Sequence, residues 1–161
     1  MFDSIAQSYS NLNAKVDLNK LAYLQKNIKV LVVTEQTILR EGLITLLEKF
    51  DNIRVVGHSN HILKGLQILE EVECDVVLAD IAMRKSSPFE FCERTKAFNS
   101  NIKVLFLFDK LSEKYLQRAL ESGVTGFVSK LESTSSLISA IRDVSGGLKY
   151  FSSHISQKGS A

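Results

Sequence analysis

The run DVVLAD carries the apolar residues Val76, Val77, Leu78 and Ala79 straight into a lone carboxylate, Asp80. A buried-type strand that ends on an acid places that acid as a reactive group or as an oxygen ligand for a hard cation. Other apolar runs end in the same manner. VLVV leads into Thr34, Glu35 and Gln36, VLFLF closes on Phe108 and Asp109, and GFVS leads into Lys130. Taken alone, each residue also has a plainer role. Asp80 could end a strand and bond nearby backbone, Lys130 could be a solvated lysine before a helix, and Glu35 could be a helix-start charge.

The elements that must position these residues follow from periodicity. IKVLVV, from Ile28, is short, β-branched and apolar, and so reads as a strand. QTILREGLITLLEKF then places Leu39, Leu43, Leu46, Leu47 and Phe50 at helical spacing. IRVVGH is a second strand, followed by a helix through Ile62, Leu66, Leu69 and Val72. CDVVLAD, IKVLFLF and TGFVS are the third, fourth and fifth strands. The helices PFEFCERTKAF and SEKYLQRALESG follow the third and fourth, the latter closed by Gly123, suited to a left-handed end position. STSSLISAIRDVSGG is the last helix, with Leu137, Ile138, Ile141 and Val144 facing inward. Five strands in strict alternation with helices predict right-handed crossovers and a parallel sheet covered on both faces. The nearly continuous apolar strands fit that burial. The expected fold is therefore a doubly wound α/β domain with a five-stranded parallel sheet. In such a sheet the site lies beyond the carboxyl ends of the strands. Glu35, Asp80 and Lys130 are thus expected to converge on one edge.

Composition narrows the function. At 161 residues the chain suits one domain, and 45% hydrophobic with 24% charged residues is a globular balance. A net charge of +2 is no electrostatic footprint for nucleic acid. Cys74 and Cys92 follow no zinc or redox spacing and read as reduced thiols. No secretory signal and no membrane-length apolar run is legible, which predicts a cytoplasmic protein without membrane contact. A phosphate cradle needs glycines after the first strand, and TEQTILREG has none before Gly42. His58, His61 and His154 read as surface or capping histidines, and no catalytic triad is legible. Residues 1–27 read as an extension with a short helix near Leu18, Leu21 and Ala22, residues 28–150 as the domain, and residues 151–161 as a tail or the start of a linker.

The ordered set VLVVTEQTILREGL, DVVLADIAM, YLQRALESGVTGFVSK and AIRDVSGGLKYFS resembles the receiver domain of two-component response regulators, and within it the NarL/LuxR branch of transcription regulators. The resemblance covers about residues 28–150 and implies a flavodoxin-like receiver fold with strand order 2-1-3-4-5. It implies that Asp80 accepts a phosphoryl group from a sensor histidine kinase and that Lys130 contacts the phosphate. It further implies a Mg2+ site from Glu35, Asp80 and the backbone of Ala82, with Phe108 and Phe127 at the switch positions. Homodimerisation is expected, with DNA contacted only through a C-terminal domain that these residues do not include. No enzyme activity is expected.

The sequence departs from the family pattern at several of these positions. Thr34 stands where the branch carries the first of two acids, which leaves a weakened metal site. Phe108 stands where a Ser or Thr would bond the new phosphate, and reads most simply as a core aromatic extending the fourth strand. Arg84 replaces a customary proline, as a solvated loop residue or as a salt-bridge partner for the pocket acids. Pro88 falls where glycine is common. The resulting expectation is the receiver part of a longer regulator with an atypical switch. A second reading is a pseudo-receiver that signals by protein contact without phosphorylation. An enzyme on the same fold is disfavoured by the missing glycine loop and catalytic set.

Overall fold

The computed structural model describes residues 26–153. The helix expected near Leu18, and His154, lie outside them. Within this range β1 (Ile28–Val33), α1 (Thr37–Leu47), β2 (Ile53–Ser59), α2 (Ile62–Glu71), β3 (Val76–Asp80) and α3 (Pro88–Phe98) form the first half. They are followed by β4 (Lys103–Phe108), α4 (Glu113–Glu121), β5 (Gly126–Ser129), α5 (Thr134–Ser145) and β6 (Tyr150–Phe151). All strands pair in parallel, in the order β2-β1-β3-β4-β5-β6. The expected order 2-1-3-4-5 is present, with a two-residue strand added beside β5.

Helix starts are written into the sequence. Ser87, Ser112 and Ser133 cap α3, α4 and α5 through their hydroxyls, and Pro88 occupies the first turn of α3, where its missing N–H costs nothing. His61 caps α2 through its ring, as a capping histidine should. Gly123 takes φ +88° just past α4, the left-handed turn expected of it.

Side-chain alternation divides the core into two faces. Leu31, Val33, Val77, Ala79, Phe106, Phe108 and Phe127 face α2, α3 and α4, where they pack with Phe89, Phe91 and Leu69. Val30, Val32, Val76, Leu78, Leu105, Leu107 and Val128 face the opposite way, onto Leu43 and Leu47 of α1 and Ile138, Ile141 and Val144 of α5. Continuing that parity past the strand ends puts Thr34, Asp80, Asp109 and Lys130 on the α1/α5 side. Register brings them level: Val33 opposes Ala79, Asp80 opposes Leu107, and Phe108 opposes Ser129.

β6 comes close to β5 because Gly126 has no side chain. A Cβ there would stand 2.4 Å from the Tyr150 carbonyl oxygen and 3.1 Å from Leu105 Cδ1. Phe151 stacks on Phe127, with centroids 5.8 Å apart, and the Ser152 N–H donates to the Phe127 carbonyl at 3.0 Å. Gly126→Ala should therefore displace β6 and cost about 1–3 kcal/mol, the usual range for overpacking. Denaturant unfolding would read the loss, and amide exchange at Ser152 would show its protection reduced.

Candidate functional site

Asp80 ends β3 with 1% of its surface exposed. A buried carboxylate is tolerated only when its oxygens are bonded and its charge is matched. Here the Ala82 N–H donates to Oδ1 at 2.9 Å, while Oδ2 accepts from the Thr34 hydroxyl and from Lys130 Nζ, each at 3.0 Å. Lys130 is itself largely buried and also lies 3.4 Å from Asp109 Oδ2. Thr34 is fully buried, and its carbonyl accepts from the Arg40 guanidinium at 2.9 Å. The pocket is thus a lysine between two aspartates, with a threonine hydroxyl beside the inner one.

Glu35 takes a different course. Its carboxylate accepts from the N–H groups of Arg84 at 3.1 Å and Lys85 at 2.8 Å, tying the end of β1 to the loop after β3. Burial pushes the Glu35 carboxyl up, but the amides of Lys85 and Arg84, helped by the charges of Lys85 and His61, outweigh it and hold the group below its ordinary value. The tie is therefore complete above the ordinary glutamate range and is lost only as pH falls through the lowered value. Arg84 bonds Glu35 through its backbone. Its guanidinium is in no ion pair among the described residues, so the salt-bridge alternative for its side chain is not what forms.

The structure brings Asp80, Lys130 and the Ala82 backbone together and holds Glu35 at the pocket's outer edge. Phe108 and Phe127 are not part of this polar cluster. Both are buried on the opposite face, with Phe106 and Phe127 in ring contact at 6.2 Å. Two participants carried no assigned role in the sequence. Thr34 was legible only as a missing acid, and Asp109 only as the residue after a strand. Strand parity was the signal that could have found both.

Mg2+ takes oxygen ligands and keeps several waters. Among the described residues no cluster of three or more His, Cys, Asp or Glu side chains could hold a metal ion. Asp80 and Glu35 have the right donor chemistry, but both already accept hydrogen bonds, and the neighbouring side chain is a hydroxyl. Among the described residues no helix is long and apolar enough to cross a membrane.

A family model described as the response regulator receiver domain matches residues 30–142. The transcriptional regulatory protein MctR of Rhizobium johnstonii is 34% identical over 128 residues, covering 80% of this chain and 60% of that protein. The chain thus spans about three-fifths of the length of the curated relatives it matches. A two-component response regulator of the LuxR family from Aurantimonas superposes with a TM-score of 0.76 at 21% identity, over 82% of this chain and 94% of that one. RcsB, solved as two dimers bound to two parallel DNAs, superposes with a TM-score of 0.74 at 18% identity, over 82% of this chain and 66% of that one.

Removing the lysine should expose how far the pocket depends on its charge. Lys130→Met is expected to destabilise the fold by about 3 kcal/mol, the lower end for orphaning a buried charge, since Lys130 reaches the pocket rim. Asp80→Asn in the same background should recover part of that loss. Equilibrium unfolding of the two single variants and the double variant measures the coupling.

Proposed function

This chain belongs to the response regulator receiver domain family, its relatives being LuxR/NarL-type regulators, and on that footing we propose that Asp80 is its phosphoacceptor, in a pocket altered at its metal and switch positions. The observation that carries the reading is the Asp80–Lys130 contact at the carboxyl end of β3, with the Ala82 amide on the other carboxylate oxygen. Residues 28–150 are the receiver domain on this reading.

The chemistry asks little of the protein beyond positioning and charge. The Asp80 carboxylate attacks the phosphorus of a phosphohistidine on a sensor kinase. A P–O bond forms as the P–N bond breaks, and the released imidazole takes a proton from water. Lys130, its charge unchanged, then pairs with the phosphoryl oxygens in place of the carboxylate. Asp80 and Glu35 would hold Mg2+, together with the Ala82 backbone, and the ion when bound would neutralise phosphoryl oxygens during transfer. That site is weakened, because Thr34 supplies no charge and Glu35 must release two amides to reach a cation.

The readout differs from the family's usual one. Phe108 offers no hydroxyl to the phosphate, and its ring is committed to the core beside Phe106 and Phe127. A rearrangement that relied on a Ser or Thr moving toward the phosphate has no counterpart here. The Phe108 packing also favours a second reading, in which the domain acts through protein contacts without phosphorylation. On the first reading the partner is a sensor histidine kinase, and on either reading a second copy of this chain, in the cytoplasm. DNA is reached through a domain outside these residues. No enzyme activity is proposed.

Intact-mass measurement after incubation with acetyl phosphate and Mg2+ tests the reading. Native chain should gain one phosphoryl group, slowly and with a high Mg2+ requirement, and Asp80→Asn should gain none. No adduct, under conditions that label an ordinary receiver, would sink the phosphoacceptor assignment and leave the contact-only reading.

A further inference from the structure

Between the loop after β3 and the loop after β4 lies an open cleft of about 300 Å3. Its floor is apolar. Met83 and Leu111 are buried there, and Ile81 packs on the same core cluster. One wall is the ring of Tyr115, which stays 55% exposed and is held by stacking on Phe89, with centroids 5.9 Å apart.

The rim is cationic, with Arg84 on one loop and Lys110 on the other. Both residues are exposed, and among the described residues neither side chain is in an ion pair. The acids next to them at the strand ends are committed elsewhere. Asp109, adjacent to Lys110, faces Lys130, and Glu35 is taken up by the backbone amides of Arg84 and Lys85. Solvated surface cations are ordinary. Two of them lining one apolar-floored cleft, with Asp109 and Glu35 engaged elsewhere, make a complementary site for an anion with an apolar body. The volume is at the lower end of small-molecule sites.

We infer that this cleft binds a small organic anion. The apolar or aromatic body rests on Met83 and Leu111 against Tyr115, and its carboxylate or phosphate lies between Arg84 and Lys110. The inference does not require phosphorylation, since none of Asp80, Lys130 or Glu35 lines the cleft. It nonetheless has a route to them. Ala82 also lines the cleft, and its N–H holds Asp80 Oδ1, so an occupant presses on the loop that carries the pocket.

Amide NMR titration of the 161-residue chain tests it with three probes: naphthoate, the neutral analogue naphthamide, and inorganic phosphate. Naphthoate should give saturable shifts at the amides of Ile81, Ala82, Met83, Arg84, Lys110, Leu111 and Tyr115. Naphthamide should bind roughly tenfold more weakly, as should naphthoate to Arg84→Gln or Lys110→Gln, each having lost one charge-assisted bond. Both substitutions are at exposed positions, and circular dichroism verifies that the variants are folded. The inference is overturned if naphthoate produces no saturable shift at these amides. It is equally overturned if inorganic phosphate binds as well as naphthoate, or if the doubly substituted chain keeps native affinity.

Discussion

The structure turns on one constraint: a carboxylate with 1% exposure must be matched where it stands. Asp80 cannot reach water to disperse its charge, so its surroundings have to supply both hydrogen bonds and a counter-charge. Three separate segments do so. The end of β1 gives the Thr34 hydroxyl, the loop after β3 gives the Ala82 amide, and the end of β5 gives the Lys130 ammonium. A parallel sheet alone makes this economical, because every strand delivers its last residue to the same edge. Side-chain parity then selects which of those residues meet.

Charge balance at that edge explains what the Thr34 hydroxyl does. An acid at position 34 would put a second negative charge beside Asp80, and a nearby cation would be needed to offset it. A hydroxyl instead donates to Oδ2 and adds no charge. With Lys130 at 3.0 Å the inner pair is neutral without an added ion, and Asp109 meets the same lysine from the rim. Glu35 acts as a clasp on the Arg84 and Lys85 amides. Together these residues form one consistent arrangement: an inner Asp80–Lys130 ion pair with the Thr34 hydroxyl beside it, next to a tied loop.

Much of the fold was legible because its signals are long and periodic. The apolar strands and the helices with inward Leu and Ile predicted each principal element, and Pro88 to Phe98 was read to the residue. β6 was not legible, since two residues carry no period and its pairing depends on a glycine on the neighbouring strand. At the site, the topology rule placed Glu35, Asp80 and Lys130 at one edge, but it says nothing about orientation. Glu35 bonds amides 49 and 50 residues away, a contact set by loop geometry and not by local sequence. Thr34 was weighed only for the charge it lacks, whereas its hydroxyl is one of the three groups that satisfy Asp80.

The most direct test of this account is the affinity for Mg2+ of the native chain and of Thr34→Asp, followed at the Ala82 amide by NMR. If the Thr34 hydroxyl leaves the inner Asp80–Lys130 pair balanced without an added cation, the native chain binds Mg2+ weakly. Thr34→Asp should then bind it at least roughly tenfold more tightly while losing stability in metal-free buffer. Equal Mg2+ affinity in the two proteins, with no metal-dependent difference in stability, would contradict the account.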